Sequence, residues 1–134
     1  MKEVQPIRDT KKIDAMKSIM RGESNYRDLL LFVLGINTGL RISDILSLKW
    51  KSFINGGGRL LKAGDQLNVV EIKTKKIKSF MINRSVSEAL KLYHDSLGSP
   101  NPDDPVFSSR KTDDGTLQPI TRIAAWQMLN RYAN

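Results

Sequence analysis

Four consecutive residues, Asn55-Gly56-Gly57-Gly58, divide the chain into two stretches with different hydrophobic patterns. Glycine runs destabilise helix and strand alike, so no regular element passes through this point. Before it, apolar residues recur three and four positions apart, the spacing of helices. After it come two strand-like runs, around Leu67 to Lys73 and Ser79 to Asn83, and then helical spacing returns. A mostly helical domain with a small antiparallel sheet is the arrangement compatible with that order.

The helical half resolves into three segments. Asp9 is placed to cap a first helix whose stripe is Ile13, Met16, Ile19 and Met20, and Arg21-Gly22 ends it. Ser24 or Asn25 opens a second helix carrying Tyr26, Leu29, Leu30, Val33 and Ile36, which stops at Asn37-Thr38-Gly39. Its broad apolar face makes it the central helix. Leu40 to Leu48 predicts a short amphipathic helix with Arg41 at its entry and Ile42, Ile45, Leu46 and Leu48 apolar; Trp50 and Phe53 then read as a strand or extended exit.

In the second half, Thr74-Lys75-Lys76-Ile77-Lys78 forms a basic hairpin tip between the two strands. Ser85-x-x-Glu88 matches a capping box leading into Val86, Ala89, Leu90, Tyr93 and Leu97, and Gly98-Ser99-Pro100 closes that helix. A loop-rich stretch follows, with a short strand at Val106-Phe107. Thr121 then caps a last helix through Ile123, Trp126 and Leu129.

Length and charge bound the function. The 134 residues suit one domain. The 22 Lys and Arg against 14 Asp and Glu leave a formal charge of +8, which attracts polyanions, nucleic acid first among them. With no cysteine and one histidine, disulfides, thiolate chemistry and a structural zinc site are excluded. The longest apolar run, Leu29 to Ile36, is far short of the ~20 residues that cross a bilayer, and no signal-type segment opens the chain. A cytoplasmic location is therefore expected.

The thirteen residues Thr38-Gly39-Leu40-Arg41-Ile42-Ser43-Asp44-Ile45-Leu46-Ser47-Leu48-Lys49-Trp50 carry more than periodicity. They resemble the first catalytic box of the tyrosine recombinases, the phage-integrase family. That box pairs a T-G-x-R turn with a short helix bearing an acidic residue three positions after the arginine. The run Val69 to Ile82, containing Lys73-Thr74-Lys75, resembles the family's β-hairpin, in which a lysine stands at the turn. The later helix, the Val106-Phe107 strand with Ser108-Ser109-Arg110, and the last helix follow the family's order, so the resemblance extends from about Ile13 onward. It implies an α+β, mainly helical catalytic domain of tyrosine-recombinase type.

The resemblance also implies a chemistry. A tyrosine attacks a DNA phosphodiester, giving a 3′-phosphotyrosine and a free 5′-hydroxyl, with no metal and no nucleotide cofactor. Charge building on the phosphoryl oxygens must then be met by positioned cations. Arg41 suits this because its fork of donors matches two phosphate oxygens at any working pH, with helix N–H groups nearby. By the same resemblance Lys73, with Lys75 as competitor, protonates the leaving oxygen. Asp44, one turn after Arg41, either orients that guanidinium or caps its own helix. Lys75, Lys76 and Lys78 are expected to contact DNA phosphates. The implied partner is double-stranded DNA, on which a parent protein assembles as a multimer; no membrane and no metal are involved.

Residues 1–134 contain neither the family's H-x-x-R box nor its late nucleophilic tyrosine. His94 is followed by Asp95-Ser96-Leu97, which breaks that box, and reads as a partly exposed helix residue. Tyr26 and Tyr93 sit on apolar stripes and read as core; Tyr132 precedes the place where the box would begin. The expectation is thus a partial catalytic domain lacking both the core-binding domain and the C-terminal groups, inactive alone, with uncovered apolar surface favouring self-association. The alternative is a non-catalytic basic DNA-binding module; an RNA-binding role is weaker, for want of an aromatic RNP-like motif.

Overall fold

The computed structural model describes residues 10–111 and 117–133. The expected Asp9 cap lies outside them. Five helices and two small sheets follow in the order α1 (Thr10–Gly22), α2 (Tyr26–Thr38), α3 (Ile42–Leu46), a 3₁₀ turn (Trp50–Phe53), β1 (Gln66–Val70), β2 (Ile77–Met81), α4 (Arg84–Leu97), β3 (Ser108–Lys111), β4 (Leu117–Pro119) and α5 (Arg122–Ala133). The mainly helical α+β expectation holds, although the sheet is two separate antiparallel pairs, β1–β2 and β3–β4.

The central element is α2, because six consecutive side chains, Leu29 to Leu34, are buried. Only a helix enclosed on nearly every side can hide such a run. It packs against α1, α3, α4 and α5. Asn25 caps it by accepting the Asp28 N–H, and Gly39 ends it at φ +67°, a left-handed geometry that glycine adopts without a Cβ clash. That turn swings the backbone straight into Arg41 and α3.

Trp50 and Phe53 do not form a strand. They lie on a 3₁₀ turn and both point into the core, Trp50 packing at 5.4 Å from the Tyr93 ring and edge-on at 5.4 Å to His94. A 3₁₀ turn repeats every three residues, so positions 50 and 53 share its inner side. The Tyr93 hydroxyl donates to the Val106 carbonyl at 2.7 Å, fastening the chain after α4 to the core. The strand β3 begins only at Ser108; Val106 and Phe107, expected as the strand, are fully buried core residues whose backbones bond Leu48 and Ile120.

The cap of α4 is Asn83, whose side chain accepts the Val86 N–H at 2.9 Å; the helix therefore starts before the Ser85–Glu88 box. Ser85 instead accepts a hydrogen bond from Lys17 of α1, and Glu88 pairs with Arg84 and Arg21. The Asn83 amide also donates to Asn37 at 2.6 Å, tying the start of α4 to the last turn of α2. Thr121 caps α5 as expected, accepting the Ala124 N–H.

Four residues expected on helical stripes are exposed, each on the side its helix turns from the core: Ile19, Leu97 and, on α5, Ile123 and Trp126, the last at 67%. On α5 the core face is Ala125, Met128 and Tyr132. Ile123 and Trp126 instead line an open apolar groove of about 320 Å³ with Ile42 and Leu129. Among the described residues no helix is long and apolar enough to cross a membrane.

Candidate functional site: a cleft between the Arg41 turn and the β-hairpin

The hairpin presents two faces because side chains alternate along a strand. Its register pairs Val69 with Lys78 and Leu67 with Phe80 on one face, and Val70 with Ile77, Asn68 with Ser79 and Gln66 with Met81 on the other. On the first face, Leu67 and Val69 are buried under the helices, and Phe80 and Lys78 reach toward the α2–α3 turn. There Thr38, Gly39, Arg41, Glu71, Lys78 and Phe80 line a mostly polar cleft of about 180 Å³.

Arg41 stands at the N-cap of α3 with extended backbone (φ −63°, ψ 142°), so its side chain leaves the helix at the mouth of the cleft. It is exposed and takes no ion pair among the described residues. An exposed guanidinium with its donors uncommitted is available to a phosphate.

Asp44 is 2% exposed, and its Oδ1 accepts the Ile72 N–H at 2.9 Å. Neither expected contact, with Arg41 or with the N-terminus of its own helix, holds this carboxylate; it clamps the hairpin turn onto α3. Its Oδ2 is buried without a protein partner among the described residues. The clamp fixes the backbone one residue before Lys73, with Cα atoms ~3.8 Å apart.

The hairpin lysines divide. β1 ends at Val70, earlier than the expected Lys73, and Ile72 to Thr74 form the turn. Lys73, Lys75 and Lys76 are exposed there, outside the residues lining the cleft. Lys75 takes a left-handed backbone (φ +61°), letting its N–H reach back to the Glu71 carbonyl at 2.9 Å. Lys78 is on β2, facing the cleft beside Arg41. The structure thus gathers Arg41 and Lys78 at one cleft, with Lys73 on the adjoining turn.

Glu71 is a residue that sequence reasoning missed. It is 7% exposed, accepts the Thr74 hydroxyl at 3.1 Å through Oε1, and lies 3.5 Å from the Lys78 ammonium through Oε2. The signal was available: the alternation Leu67, Val69, Glu71 places it on the covered face. Its carboxylate braces the turn internally while holding Lys78 over the cleft.

The three tyrosines are occupied elsewhere. Tyr26 packs against the core and Tyr93 is bound to Val106. Tyr132, 6% exposed, lies within 3.0 Å of Glu23 Oε2 and 3.2 Å of Asp28 Oδ2, and accepts from the Asn25 amide at 2.9 Å. Burial pushes its hydroxyl above the ordinary tyrosine value; Glu23 and Asp28 add to the rise, and the Arg131 hydrogen bond opposes it. A phenol held protonated beside carboxylates is a poor nucleophile. His94, half-buried against Trp50, matches its expected place.

A T-G-x-R turn opening a short helix, an acid three residues on and a lysine-bearing hairpin beside them are the features that carried the sequence resemblance, and the structure brings them together. The chain belongs to the Phage integrase family, which matches residues 9–134. It is 35% identical over 130 residues to a protein described as "Probable integrase/recombinase YoeC" of Bacillus subtilis (strain 168), covering 97% of this chain. The chain spans 63% of that relative's length.

Proposed function

We propose that this chain binds duplex DNA and grips a backbone phosphodiester between the Arg41 turn and the hairpin, as part of a recombinase that breaks and rejoins DNA through a 3′-phosphotyrosine. The observation that carries the reading is the cleft itself: Arg41, without an ion pair among the described residues, and Lys78 both line it, and three further lysines crown the adjoining turn. Arg41 neutralises the charge that develops on the phosphoryl oxygens. Lys73 gives its proton to the departing 5′-oxygen, Lys75 being the nearest alternative. Asp44 acts as a positioning residue by setting the turn that carries both lysines. Lys75, Lys76 and Lys78 contact DNA phosphates, Lys78 at the cleft itself and the other two beside it, and the full recombinase assembles as a multimer on its DNA. No metal or nucleotide enters this chemistry.

The test has two stages. Duplex binding followed across salt concentrations should weaken with a slope that falls by about 0.9 for each phosphate contact removed, in Arg41→Ala and in Lys73→Ala. The chain, extended by whatever its gene encodes after Asn134, is then offered a nicked duplex. A covalent protein–DNA adduct abolished by Arg41→Ala supports the reading, whereas an adduct indifferent to Arg41 and Lys73 refutes the assigned roles.

One observation favours a second reading, a non-catalytic DNA-binding module. All three tyrosines of this sequence are engaged with the core or with carboxylates. Absence of any adduct from the extended chain, with duplex binding intact, would decide for it.

A further inference from the structure

The hairpin's outer face plays no part in the cleft, yet it is unusually apolar where it meets the lysines. Val70 and Ile77 are cross-strand partners at the last rung before the turn, 54% and 68% exposed, and Ile72, 48% exposed, adjoins them on the turn. Such β-branched side chains are normally covered, and a contiguous exposed group marks a contact surface.

What surrounds them is positively charged. Lys73, Lys75 and Lys76 crown the tip. On the flank, Lys49 and Lys51 share a shallow cleft of about 200 Å³ with Asn68 and Val70, Lys51 lying 3.7 Å from the exposed Asp103 carboxylate. The one carboxylate close by in sequence, Glu71, is turned to the opposite face and paired with Lys78. An apolar wedge flanked by ammonium groups complements the stacked base faces of a duplex, which are apolar and lie between two phosphate backbones.

We infer that Val70, Ile72 and Ile77 form a wedge that enters a groove of the duplex beside the gripped phosphate and bends the DNA by partly unstacking a base step. This rests on the DNA-binding reading above and goes beyond it. The lysines hold the two backbones while the wedge presses on the bases between them. Side chains of this kind, inserted between base steps, kink a duplex and are favoured at flexible pyrimidine–purine steps. The Asp44–Ile72 hydrogen bond supplies the rigidity a wedge needs, because the turn cannot yield without breaking its tie to α3.

The experiment uses the intact chain and a short duplex with a dye at each end, with a TA step or an A-tract at its centre. Energy transfer reports bending, and anisotropy across salt concentrations reports affinity. The wild-type chain should raise transfer, more for the TA duplex. The double variant Val70→Thr/Ile77→Thr keeps β-branched side chains on exposed positions and so preserves the strand. It should lose most of that rise and bind roughly tenfold more weakly, with an unchanged salt slope. Lys75→Ala/Lys76→Ala should do the reverse, lowering the slope by about two units while the bound complexes stay bent.

A double variant that bends DNA as the wild type does overturns the wedge. Wild-type binding without any rise in transfer overturns it too and leaves the DNA-binding reading standing. Failure to bind duplex at all removes both. Binding to phosphatidylserine vesicles that is lost in the threonine variant, with duplex binding unaffected, would reassign the patch to a membrane surface and overturn the inference.

Discussion

Asp44 and Ile72, 28 residues apart, are joined by a 2.9 Å hydrogen bond from the Ile72 N–H to the Asp44 carboxylate, and this bond couples the arginine-bearing helix to the lysine-bearing turn. An acidic residue one helical turn after Arg41 thus serves the opposite wall of the site. Asp44→Ala should cost about 1–3 kcal/mol in unfolding free energy, typical of a buried N–H losing a charged acceptor. It should also erase the exchange protection of the Ile72 amide. Asp44→Asn, which keeps an acceptor oxygen, should restore most of that protection. Unaltered exchange at Ile72 in the alanine variant would contradict the clamp.

Glu71 braces the turn from within, so its two partners should respond separately. Glu71→Gln retains an acceptor for the Thr74 hydroxyl and releases Lys78; Glu71→Ala releases both. The alanine variant should unfold more easily by about 1–2 kcal/mol, the glutamine variant by less than half of that. Denaturant titration measures the difference, and equal losses would show that the Thr74 contact contributes nothing.

Two glycines of the same stretch should answer alanine in opposite directions. Gly39 has φ +67°, where a Cβ is strained even though nothing lies within 4 Å of it, so Gly39→Ala should destabilise by about 1–2 kcal/mol. Gly35 lies inside α2 with equally open space around its Cβ position. Gly35→Ala should therefore stabilise by about 0.5–1 kcal/mol. Thermal melts of the two variants decide it.

Tyr93 gives the fold an alkaline limit. Burial raises its hydroxyl above the ordinary value of 10.0, with the Arg27 charge as a partial offset. At neutral pH the hydroxyl is protonated in both the folded and unfolded chains. As pH climbs past 10.0, the unfolded chain ionises first and gains free energy that the folded chain does not. Stability is therefore complete below that pH and declines until the folded hydroxyl itself titrates. Tyr93→Phe should lower stability at neutral pH by about 1 kcal/mol, through the lost bond to Val106, and make the alkaline decline shallower in pH-dependent melts.

The helices were legible because periodicity and caps coincide: Asn25, Gly39 and Thr121 stand where local rules place them. Elements decided by distant partners were not. Asn83 outcompetes the Ser85 box for α4 because its amide also reaches Asn37 across the fold. Trp50 and Phe53 leave the extended form because a core pocket beside Tyr93 receives them. At the site, Arg41, Asp44 and the hairpin lysines were recognisable from the T-G-x-R turn and the K-T-x-K run. The partner of Asp44 depends on how the hairpin docks, which no local pattern encodes, whereas the burial of Glu71 follows from the alternation of Leu67 and Val69 before it. The open side of α5 departs from its sequence pattern for a related reason: Ile123 and Trp126 keep helical spacing, yet the core takes the neighbouring face.

The two-faced hairpin restricts how chains of this kind can drift in length. Between Ile77 and Met81, inserting or deleting one residue would rotate every later side chain by half a turn, sending Ser79 where Phe80 belongs or Met81 into the interior. Such changes can accumulate there only in twos, or must retreat to the Gly56–Gly58 run, which carries no side chains to turn the wrong way.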